Sequence, residues 1–132
     1  MESTIYEQVG GQPFFDNLVG LFYATVETDP VLRPLYPTDL TDSRHWLTLF
    51  LAQLFGGPGE YSAAKGHPKL RIRHVHVRIG RAERDAWYEA MAGALDIALD
   101  SCRDSLAVAD DVRGAMLDYF AKSADWMINS DE

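Results

Sequence analysis

The sequence predicts an all-α fold. Apolar residues recur at spacings of three and four over four long stretches, and glycine, proline and Thr-Asp-Pro clusters fall between those stretches. Period-two alternation is confined to Ile72–Ile79. At 132 residues the chain is expected to form one domain over 1–132, and a chain of this length buries roughly two-thirds of its unfolded surface.

Thr4-Ile-Tyr-Glu7 has the pattern of a capping box, and Gly10-Gly11 stops the short helix it starts. A second helix begins near Pro13, with Phe14, Phe15, Leu18, Val19, Phe22 and Val26 on one face, and Thr28-Asp-Pro30 breaks it. Pro34 and Pro37 flank Tyr36 in a bend. Asp39 or Thr41 caps a third helix, whose stripe is Leu47, Phe50, Leu51 and Leu54. Gly56-Gly57-Pro58 ends it, and a loop follows. Pro68 suits the first turn of a short helix reaching about His74. Ile72–Ile79 reads equally as an extended segment. A long helix is expected from about Ala82 to Asp100, carrying Trp87, Met91, Ala94, Leu95 and Ala98. A last one is expected from about Asp110 to Asn129, with Val112, Met116, Tyr119, Phe120, Ser123 and Met127 on one face.

Apolar residues make up 47% of the chain and charged residues 24%, ordinary values for a soluble domain. No apolar run approaches the roughly 20 residues that span a bilayer. The start, Met-Glu-Ser-Thr-Ile-Tyr-Glu, lacks the basic and apolar regions of a signal peptide, so the cytoplasm is the expected compartment. Cys102 is the only cysteine, which excludes an internal disulfide and a thiolate cluster. The net charge of −8 is unevenly spread. Residues 65–84 hold seven of the twelve basic side chains and one acid, Glu83, a net +6 against −14 elsewhere. Such a segment asks for an anionic partner. The acidic remainder repels a long polyanion, so no nucleic-acid partner is expected, and a small ligand bearing carboxylates or phosphates fits better.

Imidazole is the usual metal ligand, and the histidines are His45, His67, His74 and His76. On a helix His74 and His76 would point about 200° apart and could not share a metal. On a strand they would share a face, but zinc wants a third ligand that no HExxH pattern or cysteine pair supplies. A single axial histidine suffices where a porphyrin supplies four ligands. Arg73 and Lys69 would set cations beside such a cofactor, although composition alone favours a solvated basic face. Tyr23 reads as a half-buried aromatic and Trp87 as core packing, and periodicity alone does not bring them to Tyr36.

The chain resembles the truncated haemoglobins, and within them group II. The residues that carry the likeness are Phe22-Tyr23, Val31-Leu-Arg-Pro-Leu-Tyr-Pro37, Phe50-Leu51, Gly56-Gly-Pro-Gly-Glu-Tyr-Ser62, Gly66-His-Pro-Lys-Leu-Arg-Ile-Arg-His74 and Glu83-Arg-Asp-Ala-Trp87. They extend over nearly the whole chain. The resemblance implies a globin-like, two-over-two helical sandwich around haem b (iron protoporphyrin IX). It makes His74 the proximal iron ligand, with His76 not ligating. Arg73, with Lys69 and Tyr61, would meet the propionates. Leu47, Phe50 and Leu51 would form the distal wall, and Leu32, Leu70, Val77 and Ile79 would be further haem contacts. Tyr23, Tyr36 and Trp87 match the distal polar set. Two positions depart from the family pattern. Ser43 stands where alanine is frequent and can join the ligand's hydrogen-bond network. Trp46 stands where a basic residue often reaches a propionate, and its indole would instead cover the haem edge.

Phenol and indole donors in a dry pocket hold a ligand atom that carries negative charge, each such bond contributing roughly 1.5–3 kcal/mol. The first functional expectation is therefore binding of O2, and of NO and CO, with slow release of oxygen. The second is a redox enzyme on the same scaffold, oxidising nitric oxide or reducing peroxide. It would need an external reductase, because the chain has no Rossmann fingerprint. The third is a haem-free helical interaction module with a basic patch. The group II likeness is also compatible with a homodimer formed through the last two helices.

Overall fold

The computed structural model describes residues 4–65, 77–103, 108 and 111–129. Helix α1 spans Ile5–Gln8 and is started by the expected capping box, in which the Glu7 N–H donates to Thr4 Oγ1 and the Thr4 N–H to Glu7 Oε1, both at 3.1 Å. Gly10 and Gly11, at φ of +98° and +81°, turn the chain into α2, Gln12–Thr28. Seven apolar or aromatic side chains of α2 are buried, Tyr23 among them. Asp29 then ends the helix and shapes the bend, its Oδ1 accepting the Val31 and Leu32 N–H groups at 2.8 and 3.0 Å. A 3₁₀ turn at Arg33–Leu35 follows and presents Tyr36.

Helix α3 spans Thr41–Leu54. Neither expected residue occupies the N-cap, which falls on Leu40 without a side-chain cap bond; Asp39, one position earlier, accepts the Thr41 N–H at 2.9 Å, and Thr41 is already helical. The helix closes in a Schellman motif. The Gly57 N–H reaches Ala52 O at 2.8 Å and the Gly56 N–H reaches Gln53 O at 3.1 Å, with Gly56 at φ +100°. The expected loop beyond it contains a further helix, α4, Glu60–Lys65. Six residues carry too little periodicity to be read, and α4 is held by tertiary contacts instead. Gln53 on α3 accepts the Ser62 N–H at 2.8 Å and donates to its hydroxyl at 2.7 Å, and Tyr61 is buried against Phe50.

Helix α5 runs Arg81–Arg103, three residues beyond its expected end, and α6 runs Val112–Met127, shorter than expected at both ends. Its C-terminal correction has a cause: Ile128 turns extended and Asn129 bonds to residues 77 and 79. The expected helix from Pro68 to His74 and the alternating residues 72–76 lie outside the described residues. Val77–Ile79 is in neither helix nor strand.

Helix α2 packs against α3 and α5, α5 against α6, and α3 against α4. Arg84–Asp125 at 2.8 Å and Arg113–Asp96 at 2.6 Å tie opposite ends of α5 and α6, so that pair is antiparallel. The described residues are helical and irregular only, in the two-over-two arrangement. Phe15, Leu18 and Phe22 of α2, Met91 and Leu95 of α5, and Met116 and Phe120 of α6 are fully buried between the layers. Burying each contributes roughly 1.5–3 kcal/mol. No described helix is long and apolar enough to cross a membrane.

Candidate functional site

Between the layers lies a cleft of about 370 Å³, within the size range of small-molecule sites. Tyr23 enters from α2, Leu32 and Tyr36 from the bend after it, and Ser43, Trp46, Leu47, Phe50 and Leu51 from α3. Tyr61 comes from α4, Trp87 from α5, and Val77 and Ile79 from the segment before α5. Every site residue expected from the sequence that the structure describes thus lines one cleft. His74, Lys69, Leu70 and Arg73 lie outside the described residues.

The polar wall is built from Tyr23, Tyr36, Ser43 and Trp87. Tyr23 is only 3% exposed, so the reading of a half-buried phenol in water is corrected: the phenol belongs to the cleft. The Tyr23 and Tyr36 rings meet edge to face at 5.6 Å between centroids. Burial pushes the Tyr23 phenol up to about 12, against the opposing hydrogen bond of Ser43 and the charge of Arg44. Burial raises Tyr36 further, with Tyr23 adding to the rise and a hydrogen bond from Trp87 opposing it. An indole has one N–H and no acceptor, so in any bond between the two Trp87 is the donor and the Tyr36 oxygen the acceptor, which leaves the Tyr36 O–H for another partner. Trp87 also packs in the core, with ring centroids 5.8 Å from Phe22 and 6.0 Å from Phe120. Trp87 thus packs in the core, as its helical stripe predicts, and lines the cleft as well.

Arg33 holds the polar wall from behind. Its guanidinium donates to the carbonyls of Tyr36 at 3.4 Å, Pro37 at 3.0 Å and Thr38 at 2.9 Å. Trp46 is half-buried on the cleft, edge-on to His45 at 4.7 Å and Tyr61 at 6.3 Å. Sequence reasoning missed Arg84 and the α6 residues Tyr119, Phe120, Ser123 and Met127 as cleft residues. The last four were legible as a single helix face, but periodicity does not distinguish a face that fills a core from one that walls a cavity. Arg84 is fixed by Asp125 at 2.8 Å and Asp85 at 3.3 Å, with its guanidinium 5.1 Å from the Tyr88 ring centroid.

The family model for bacterial-like globins matches residues 4–124. Group 2 truncated hemoglobin YjbI of Bacillus subtilis is 40% identical over 91 residues, 69% of this chain and 68% of that protein. The hemoglobin of the thermophilic phototrophic bacterium Chloroflexus aurantiacus superposes with a TM-score of 0.88 at 46% identity, covering 98% of this chain and 100% of that one. The group II truncated hemoglobin of Bacillus anthracis superposes with a TM-score of 0.90 at 32% identity, covering 100% and 95%. This chain belongs to the bacterial-like globin family, as a truncated haemoglobin of the group II type. Membership carries haem-based binding of diatomic ligands.

The cleft suits such a cofactor. A flat macrocycle needs broad apolar walls, which Leu32, Leu47, Phe50, Leu51, Ile79 and Phe120 provide. Its reactive face needs neutral hydrogen-bond donors, and Tyr23 and Tyr36 keep their protons through the physiological range.

Proposed function

We propose that this chain, acting as a single domain over 1–132, is a cytoplasmic haem b protein that takes up oxygen and releases it slowly, binding NO and CO at the same place. The observation that carries this reading is the convergence of Tyr23, Tyr36 and Trp87 on one wall of an otherwise apolar cleft. Haem, when bound, supplies an iron that takes a diatomic ligand. In this reading His74 would hold the iron, Arg73, Lys69 and Tyr61 would meet the propionates, and Leu70 and Val77 would pack against the cofactor. Ser43 orients the Tyr23 phenol, and Trp87 occupies the Tyr36 oxygen, so both phenol protons are available to a negatively polarised ligand atom. In a water-poor cleft such bonds count for more than in solution. Trp46 covers the open edge. A homodimer through the last two helices is part of the same reading. Ile97 and Trp126, large apolar side chains 56% and 63% exposed, are the surface such an interface would cover. Redox turnover would draw its electrons from a separate reductase.

The test is an absorption spectrum of the purified chain with added haem, for wild type and His74→Ala, under argon and then oxygen. The expected result is a Soret band that shifts with oxygen and is lost or deranged in the variant. A wild type that takes up no haem overturns the reading. Within it, Tyr36→Phe is expected to release oxygen at least about tenfold faster, the equivalent of about 1.4 kcal/mol.

A further inference from the structure

The geometry points to Asn129 as a positioning residue: we infer that it latches the floor of the cleft to the end of α6 and so governs how tightly the cleft retains its cofactor. This rests on the haem reading above. Val77 and Ile79 line the cleft, and Ile79 is 9% exposed. Their segment has no helix or strand to pair its backbone groups, so those groups must find partners elsewhere. Asn129 supplies them. The Ile79 N–H donates to Asn129 Oδ1 at 2.8 Å, and the Asn129 N–H donates to the Ile79 carbonyl at 2.8 Å. Asn129 Nδ2 donates to the Val77 carbonyl at 2.8 Å. One residue thereby makes both bonds of a strand-like pair with Ile79 and fixes Val77 as well. The opportunity arises because α6 stops at Met127 and Ile128 takes an extended conformation.

The latch works at a distance of 50 residues in sequence and touches no ligand atom itself. Its neighbours reinforce it. The Gly80 N–H donates to Glu83 at 2.7 Å, starting α5 directly after the latched segment. The Arg84–Asp125 pair joins the same two helix ends. Val77 also lies three positions after His74, the proposed iron ligand, in sequence. A floor held in place before binding spares the ordering cost at binding, and that lowers the rate of cofactor loss.

The experiment compares wild type with Asn129→Ala, Asn129→Asp and Leu117→Ala. Leu117 packs on the core from α6 without lining the cleft, and serves as a comparator of general stability. Two quantities are read: hydrogen exchange at the Ile79 amide, in haem-free and haem-loaded protein, and the rate of haem transfer to an excess of a haem-scavenging apoprotein. In Asn129→Ala both are expected to rise at least about tenfold, corresponding to about 1.4 kcal/mol. Asn129→Asp keeps the acceptor for Ile79 and loses the donor to Val77, so its amide stays protected while haem loss is intermediate. Leu117→Ala does not speed haem transfer. Haem transfer from Asn129→Ala at the wild-type rate, or no faster than from Leu117→Ala, overturns the latch while leaving the haem reading intact. Failure of the wild type to take up haem overturns both.

Discussion

Tyr23 illustrates how one buried hydroxyl links stability to chemistry. Its phenol is pushed up to about 12 by burial, while in an unfolded chain it titrates at the ordinary tyrosine value of about 10. Below pH 10 folded and unfolded chains both keep the proton; between pH 10 and about 12 only the folded chain does. Stability is therefore intact below the unfolded value and falls as pH rises toward the folded one, by about 1.4 kcal/mol per pH unit. Urea unfolding at pH 9 and pH 11 is expected to show a smaller loss for Tyr23→Phe than for wild type, because Tyr36 alone then contributes. An equal loss in the two proteins would contradict the burial argument. Arg33 acts on the same wall through the backbone. Replacing it by alanine removes three hydrogen bonds to the segment that carries Tyr36. Two of these bonds are exposed and the one to the Tyr36 carbonyl is part-buried, so the expected cost is roughly 1 kcal/mol in urea unfolding. Arg33→Lys should recover little of it, since an ammonium lacks the fork that spans three carbonyls.

Helix beginnings and ends were read to different accuracy. The Thr4–Glu7 box and the Gly56-Gly57 stop are local chemistry, and both occur as written in the sequence. Gly57 has a second duty that spacing does not disclose. A Cβ there would lie 2.5 Å from the Tyr6 ring and 2.8 Å from the Ala52 carbonyl, where α1 crosses the end of α3. Gly57→Ala is expected to destabilise the protein by roughly 1–3 kcal/mol through that overlap, read as a lower urea midpoint. Helix α4 and the early end of α6 were not legible for a related reason. The first depends on Gln53 and Phe50 of α3, and the second on backbone groups of Val77 and Ile79. Neither set of partners is near in sequence.

Across the molecule, Phe120 is where the layers and the cleft meet. It is fully buried, lines the cleft, and has ring contacts with Phe55 at 6.0 Å, Trp87 at 6.0 Å and Tyr119 at 6.0 Å. Phe120→Ala should cost roughly 3–5 kcal/mol in chemical unfolding. By contrast, Arg113 and Asp96 are each about half exposed, and water screens their ion pair. Stability thus comes from aromatic packing between α2, α5 and α6, with the surface ion pairs fixing orientation.

The linear chain by itself determined the helical class, most helix starts and stops, and the family likeness, because each of these is written in residues a few positions apart. Periodicity put Phe120 and Tyr119 on one helix face, and resemblance marked Tyr23, Tyr36 and Trp87 as a set. Tertiary structure alone decided that Ser43 joins Tyr23, Tyr36 and Trp87 on one wall of the cleft, that Arg33 braces that wall and that Asn129 closes the floor. These are contacts of two or three polar atoms between segments brought together only by folding, and hydrogen-bond geometry at 3 Å leaves no periodic trace in a sequence.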